Sequence, residues 1–149
     1  MKVRDIMDPS PDIIRTSDTF EHLIKILNEV KYHVVFVVDK EEKLVGIVTE
    51  GDIIKVLIPK YVAVDESLIS VMDVNYFERK CRESKNLPIN EIMSKVTFMV
   101  GEEDPTIKAA ALMVMNKIQT IPVVRNGKVV GIVQRLTLIK HITKVLKGA

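Results

Sequence analysis

Gly46-Ile47-Val48-Thr49-Glu50-Gly51-Asp52-Ile53-Ile54 is the stretch on which the fold depends, because it joins a strand directly to a helix. The apolar run Leu44–Val48 predicts a strand, Thr49 to Gly51 predict a polar turn, and the periodic residues from Asp52 to about Leu57 predict a helix. The first N–H groups of such a helix and its dipole favour an anion. Thr49 adds a hydroxyl, and the Asp52 carboxylate can accept from two adjacent hydroxyls, as on a ribose. The stretch therefore indicates a nucleotide site.

A helix cap without any ligand is the alternative interpretation of the same residues. Thr49 can be the N-cap, and Asp52 can answer it three residues later, as in a capping box. A repeat favours the site, because Ile6-Met7 returns 86 residues later and Leu44–Val48 returns 85 residues later as Val129–Val133. The chain is therefore two copies of one unit joined by a connector.

Each copy predicts the order strand, helix, strand, strand, helix. In copy one, an extended piece near Pro9 to Arg15 precedes a helix capped by Asp18, and the strands Val34–Val38 and Leu44–Val48 precede the helix from Asp52. All five residues of Val34–Val38 are apolar. We therefore expect that strand to be covered on both faces.

Copy two predicts a short strand at Thr97–Val100, a helix capped by Asp104 with Pro105 in its first turn, a hairpin closed by Asn126-Gly127, and a last helix from Thr137. Between the copies, Asp65-Glu66-Ser67 predicts the cap of one connector helix that runs to about Phe77. These elements divide the chain into repeat 1 at 1–57, a connector with a helix at 58–88, and repeat 2 at 89–149.

Composition narrows the classes of function. A net charge of +2 without a basic block argues against nucleic acid and an anionic membrane, and 5% aromatic residues with no Trp leave no stacking platform. The single cysteine, Cys81, excludes an internal disulfide and a thiolate metal cluster, and we expect no metal. The amino end lacks the apolar core of a signal peptide, and the longest apolar run is too short to span a bilayer. We expect a soluble, cytoplasmic protein.

The repeated motifs resemble a known family. Asp5-Ile6-Met7, Val37-Val38 and the strand-to-helix stretch from Gly46 to Asp52 look like a cystathionine-β-synthase (CBS) domain. Glu91-Ile92-Met93, Ile121–Val124 and Gly131-Ile132-Val133 look like a second one. The resemblance covers nearly all of the chain except the connector. It implies a mixed α/β (α+β) fold in which two β-α-β-β-α repeats pack about a pseudo-twofold axis, an arrangement called a Bateman module. It also implies a regulatory module that binds adenosine-containing ligands in clefts between the repeats.

The resemblance implies a primary cleft with its ribose-binding Asp52 from repeat 1 and its adenine wall from repeat 2. Thr49 and the helix start would face the phosphate, and Ile118 and Met99 would sandwich the adenine. Backbone groups near Ser94 and Thr120 would read the adenine edge. The predicted residues of this cleft are Thr49, Gly51, Asp52, Ser94, Met99, Ile118, Gln119 and Thr120.

A second cleft departs from the family pattern, because Gln134 and Thr137 stand where the Thr and the ribose-binding Asp are expected. Tyr32 could stack on a base, and His33 and Arg135 could contact phosphate. In the alternative interpretation, Tyr32 is a helix-to-strand boundary residue and His33 is a partly exposed surface residue. The predicted residues of this cleft are Tyr32, His33, Val34, Gln134, Arg135 and Thr137.

The resemblance predicts a stand-alone sensor that binds AMP, ADP, ATP or S-adenosylmethionine as a regulatory ligand and requires no cofactor. We expect no enzyme, since no nucleophile with its base, carboxylate pair, Gly-rich phosphate loop or metal spacing stands out. The alternative is a ligand-free structural or protein-interaction module. We also expect a homodimer, because the helices from Asp52 and Thr137 carry more apolar residues than one small sheet can cover. The output would then be that assembly or an unknown target protein.

Overall fold

The strands and helices of repeat 1 follow the predicted order in the computed structural model, which describes residues 1–148. They are β1 (Ile13–Arg15), α1 (Phe20–Leu27), β2 (Val34–Val38), β3 (Leu44–Thr49) and α2 (Glu50–Leu57). β2 lies between β1 and β3, and it pairs with β1 in parallel, with Ile14 opposite Val37. All five residues of β2 are buried, which confirms a strand covered on both faces.

The connector does not form the single helix predicted after Asp65. A 3-10 turn spans Glu66–Val71, and a separate helix, α3, spans Tyr76–Glu83. The Asp65 cap is confirmed, since its Oδ1 accepts from the backbone N–H two residues later at 3.0 Å. Asp73 divides the run in the same way, because its Oδ1 accepts from the N–H two residues later at 2.6 Å. Such Asx turns compete with the helix and start a new segment.

Repeat 2 contains α4 (Thr106–Asn116), β4 (Thr120–Arg125), β5 (Lys128–Gln134) and α5 (Arg135–Leu146). β4 and β5 pair antiparallel, as predicted. Asn126 and Gly127 join them with φ values of 54° and 81°. Two successive positive φ angles are those of a type I′ hairpin turn, which Asn-Gly favours.

The prediction of a short strand at Thr97–Val100 is wrong. Only Val100 pairs, in a single parallel bridge to Val123 that is the counterpart of the Ile14–Val37 pair 86 residues earlier. Val100 is buried, whereas Thr97 and Met99 are exposed. Repeat 2 therefore keeps the place of its first strand, but too little of the stretch is covered to extend the pairing.

The two helices that follow β3 and β5 begin earlier than predicted. α2 begins at Glu50 rather than Asp52, and α5 begins at Arg135 rather than Thr137. The last strand residue is itself the N-cap in each case, because Thr49 and Gln134 have the extended backbone that a cap requires. The polar turn expected at 49–51 is therefore absent.

The caps of α1 and α4 lie one residue beyond the predicted ones. Thr19 rather than Asp18 caps α1, and its Oγ1 accepts from His22 N at 3.3 Å. Pro105 is the N-cap of α4, while Asp104 accepts from Gly101 N at 2.7 Å in the preceding loop. That backbone N–H, and then the Lys108 ammonium, hold the pKa of Asp104 below its ordinary value.

The residues group into two compact units that differ from the sequence repeats. Unit 1 contains residues 1–11, 40–44 and those from 96 onward, and unit 2 contains residues 12–39 and 45–95. Each unit includes the opening segment of the other repeat, since Val3 is buried in the core of unit 1 and Ile89 in the core of unit 2. The boundaries 1–57, 58–88 and 89–149 refer to the repeats and stay a prediction.

Each opening segment is fixed to a strand by one backbone pairing. In unit 2, Ser94 and Ile47 exchange N–H···O bonds of 2.9 Å in both directions. In unit 1, Asp8 and Ile132 exchange bonds of the same length. Ser94 and Asp8 are therefore counterparts 86 residues apart.

A glycine lies beside each of these pairings. A Cβ at Gly46 would overlap the sulfur of Met93 in unit 2, and a Cβ at Gly131 would overlap the sulfur of Met7 in unit 1. The repeated glycine thus lets a methionine of the opening segment lie directly on the strand backbone.

No helix within residues 1–148 combines the length and the apolar character that crossing a membrane requires. In the same part of the chain, no three His, Cys, Asp or Glu side chains are grouped to hold a metal ion.

Candidate functional site

The centre of the candidate site is the Asp52 carboxylate, at the corner where β3 meets α2 in unit 2. Its Oδ2 accepts from the Thr49 backbone N–H at 2.9 Å and lies 3.1 Å from the Thr49 hydroxyl. Its Oδ1 accepts from the Ser94 hydroxyl at 2.6 Å. Asp52 is 8% exposed, whereas Thr49 and Ser94 are exposed. The carboxylate is thus largely buried, but both hydroxyls that contact it are open to water.

Local backbone structure places these groups together. The Ser94–Ile47 pairing holds the opening segment of repeat 2 beside β3, two residues before the N-cap Thr49. Asp52 occupies the third position of α2, where its side chain reaches back to the N-cap N–H. A strand, a helix start and a docked segment therefore each contribute one group to the site.

The capping bond that the alternative interpretation expected is present, but it uses only part of the hydrogen-bonding capacity of the Asp52 carboxylate. A carboxylate offers about four lone-pair sites. Three of those on Asp52 are in use, and two of the three partners are hydroxyls that can rotate away. Gly51 is exposed in the first turn of α2, and the nearest atom to a Cβ placed there would be the Thr49 hydroxyl, at 3.7 Å. A ligand hydroxyl could approach this corner without disturbing the backbone cap.

Four of the eight residues predicted for the primary cleft, Thr49, Gly51, Asp52 and Ser94, thus lie in unit 2, and the structure brings them together. The other four belong to unit 1. In unit 1, Ile118 is half-buried against the core, Met99 is 45% exposed, and Gln119 is exposed. The Gln119 carbonyl accepts from Arg135 N at 3.1 Å, and Thr120 opens β4. The assignment of all eight as ligand-binding residues stays a prediction.

The second predicted set also divides between the units. In unit 1, Gln134 caps α5, and its N–H donates to Thr137 Oγ1 at 3.3 Å, so Thr137 takes over the capping role of Asp52. The Nε2 of Gln134 is buried and has no hydrogen-bond partner among residues 1–148. Arg135 is exposed in the first turn of α5.

The three residues of that set in unit 2 precede and begin β2. Tyr32 is half-buried, and its ring centre lies 5.2 Å from the Lys31 ammonium. His33 is exposed and has a φ of 57°. Val34 is a core residue that is 4% exposed. Their assignment to a ligand site also stays a prediction.

Asp8 is the residue that sequence reasoning missed. It is the counterpart of Ser94 in unit 1, where its Oδ1 accepts from Ser10 N at 2.9 Å. The signal was present in the repeat, because Asp8 follows Ile6-Met7 as Ser94 follows Ile92-Met93. The two units therefore differ on both sides of the corner, with Asp52 and Ser94 in one and Thr137 and Asp8 in the other.

Comparison with known proteins identifies the class. The CBS domain family model matches residues 3–59 and 89–144, so the chain belongs to the CBS domain family and carries two copies of the domain. The predicted family, the mixed α/β fold and the two repeats are thereby confirmed.

Three similar proteins illustrate the range of relatives. Uncharacterized protein MJ1426 of Methanocaldococcus jannaschii is 29% identical, and the match covers 94% of this chain and 90% of the relative. The crystal structure of protein MJ1004 from the same organism has a TM-score of 0.74 at 29% identity, over 97% of this chain and 60% of that one. The CBS domain pair of protein MJ0100, solved with 5′-methylthioadenosine and S-adenosyl-L-methionine, has a TM-score of 0.71 at 26% identity over 97% of both chains. The chain thus spans less than two thirds of one of these relatives.

Proposed function

We propose that this CBS pair is a regulatory module that binds an adenosine-containing ligand, with Asp52 accepting from the ribose hydroxyls. The observation that carries the proposal is a carboxylate that is 8% exposed, stands at a helix start and has exchangeable hydroxyl partners. The MJ0100 pair supports it, since that protein was solved with two adenosine derivatives. AMP, ADP, ATP and S-adenosylmethionine are the ligands to compare.

The roles follow the chemistry of each group. The N-terminal end of α2 and the Thr49 hydroxyl favour a phosphate or another polar group on the ribose. As the family resemblance implies, Ile118 and Met99 would provide apolar surface for the base, and backbone groups near Ser94 and Thr120 would bind its edge. Binding and release of a regulatory ligand need no nucleophile or metal, so we propose no catalysis and no separate cofactor.

We propose weaker or different binding by the second set. Thr137 stands where unit 2 has Asp52, and a hydroxyl lacks the charge that makes a carboxylate a strong acceptor for two ribose hydroxyls. Tyr32 retains an aromatic face for a base.

Titration calorimetry of the unsubstituted chain and Asp52→Asn with the four ligands tests the proposal. Asparagine keeps the shape but removes the charge, so we expect affinity to fall about ten- to a hundredfold, which corresponds to roughly 1.5–3 kcal/mol. Asp104→Asn is the matched control, because Asp104 also accepts from a backbone N–H but lies in the loop before α4. Equal affinities for all three proteins would refute the assignment of Asp52.

A homodimer is the second proposal, and α5 favours it. This helix has no buried residue, and its exposed apolar side chains are Leu136, Ile139, Ile142, Val145 and Leu146, each at least 50% exposed. Large exposed apolar patches are typical of interaction sites, and a second copy of the chain is the partner that we propose for this one. Ligand occupancy would then be read out by the assembly or by a target protein. A purely structural module would form the same dimer but bind none of the four ligands.

A further inference from the structure

The Ser94–Asp52 hydrogen bond joins two parts of the sequence that are otherwise separate. Ser94 belongs to the opening segment of repeat 2, and Asp52 belongs to repeat 1, yet both lie in unit 2. The oxygens are 2.6 Å apart, which is the short distance of a hydroxyl bound to an ionised carboxylate. Ser94 is exposed, so its hydroxyl could bond to water instead. It is directed instead at the nearly buried carboxylate of Asp52.

The lone pairs of Asp52 decide how a ribose can bind. Oδ2 already serves the Thr49 N–H and contacts the Thr49 hydroxyl, so both of its sites are occupied. Among the residues that the structure describes, Oδ1 accepts from Ser94 alone, which leaves one of its sites open. A vicinal diol needs two acceptor sites, but only one site on Asp52 is open. The second becomes available only when one of the bound hydroxyls is displaced.

The distances indicate which hydroxyl leaves. The Thr49 hydroxyl lies 3.1 Å from Oδ2, whereas the Ser94 hydroxyl lies 2.6 Å from Oδ1. The longer contact is the weaker one. The diol would therefore take the free site on Oδ1 and replace the Thr49 hydroxyl on Oδ2, while the bonds from Ser94 and the Thr49 N–H remain.

We infer that Ser94 is a positioning residue whose hydroxyl holds the Asp52 carboxylate in the plane that a ribose diol requires. This inference rests on the proposed function and assigns Ser94 a task other than reading the adenine edge. The terminal torsion of an aspartate is broad, so a carboxylate held at only one oxygen can turn. Ser94 holds the other oxygen, and the ligand then meets a carboxylate that is already ordered.

The experiment distinguishes this positioning role from a purely structural one, in which the Ser94–Asp52 hydrogen bond only joins two segments of the chain. Ser94→Ala and Ser94→Thr are titrated with AMP and with 2′,3′-dideoxy-AMP, which lacks both ribose hydroxyls. We expect Ser94→Ala to weaken AMP about three- to tenfold and to leave dideoxy-AMP unchanged, because only the diol uses the ordered carboxylate. Ser94→Thr keeps a hydroxyl and should restore AMP binding.

Ser67→Ala is the matched control, because the Ser67 hydroxyl donates to Asp65 at 2.7 Å elsewhere in unit 2. It should leave both affinities unchanged. An equal loss of AMP and dideoxy-AMP in Ser94→Ala, or no loss of either, would overturn the inference while the proposed function stands. Failure of the unsubstituted chain to bind AMP would overturn the inference as stated, whereas the proposed function is judged on the whole panel, including S-adenosylmethionine.

Discussion

Replacement of Asp52 with alanine should destabilise the fold as well as weaken the proposed site, and the structure sets the size of the effect. The variant removes the acceptor of the Thr49 backbone N–H, which is one bond of the capping box of α2. It also removes the charged acceptor of the Ser94 hydroxyl. Loss of a helix cap costs about 1 kcal/mol, and loss of a hydrogen bond to a charged group costs roughly 1.5–3 kcal/mol.

These losses do not simply add, because the exposed hydroxyls of Thr49 and Ser94 can bond to water once Asp52 is gone. We therefore expect the free energy of unfolding to fall by about 2–3 kcal/mol. For a chain of this size, that lowers Tm by roughly 4–12 °C. Ser94→Ala should lose about 1–2 kcal/mol, and the double variant should be no less stable than Asp52→Ala alone, since both single changes remove the same bond.

Urea denaturation of the three variants and of Asp104→Ala measures this. Asp104 accepts from one backbone N–H, and its ion pair with Lys108 is largely exposed, so its loss should be only about 1 kcal/mol. The reasoning is refuted if Asp52→Ala loses no more stability than Asp104→Ala. Independent, additive losses in Asp52→Ala and Ser94→Ala would also refute it, because they would mean that the 2.6 Å contact contributes nothing to stability.

Two further predictions concern unit 1. Thr137→Asp alone should lower Tm and gain no AMP binding. The new carboxylate would stand opposite Asp8, the counterpart of Ser94, and like charges repel. Asp8→Ser combined with Thr137→Asp rebuilds the Asp–Ser pair, so this double variant should recover the Tm and bind AMP in calorimetry. A stable, AMP-binding Thr137→Asp single variant would contradict this pairing of counterparts. Ile139→Lys combined with Ile142→Lys should convert a dimer into a monomer of 16.9 kDa in light scattering, because both side chains are at least half exposed on α5. A chain that is monomeric before substitution would rule out the proposed homodimer.

The repeat made the fold predictable, and its limits explain the errors. The motif that recurs at an offset of 85 residues located the counterpart strands β3 and β5, the apolar run Val34–Val38 located the buried strand β2, and Asn126-Gly127 located the hairpin. The observed helix starts differ from the predicted ones by one or two residues, because the capping residue is the one whose side chain reaches a backbone N–H after folding. The connector was mispredicted because Asp73 offered the backbone a local alternative to a longer helix.

The grouping into units could not be predicted from periodicity, because it depends on contacts between distant residues. Val3 and Ile89 look alike in the two repeats, and nothing in their local sequence says which core each one enters. The same limit applies to the site. The pattern Thr49–Asp52 indicated a carboxylate at a helix start, but the Ser94 hydroxyl on its other oxygen became visible only when the opening segment of repeat 2 was seen beside β3.

Capping and the proposed ligand binding, which the sequence presents as alternatives, are compatible at Asp52. The cap uses one site on Oδ2, and a diol would use a site on each oxygen, so the carboxylate can do both if the Thr49 hydroxyl yields. Thr137 supplies only the cap, because one hydroxyl oxygen cannot accept from the Gln134 N–H and from two ribose hydroxyls together. Both repeats keep the capping bond, but only Asp52 brings a charge to its corner, because its counterpart Thr137 is neutral. The two corners would therefore select different ligands, even though their backbones are alike.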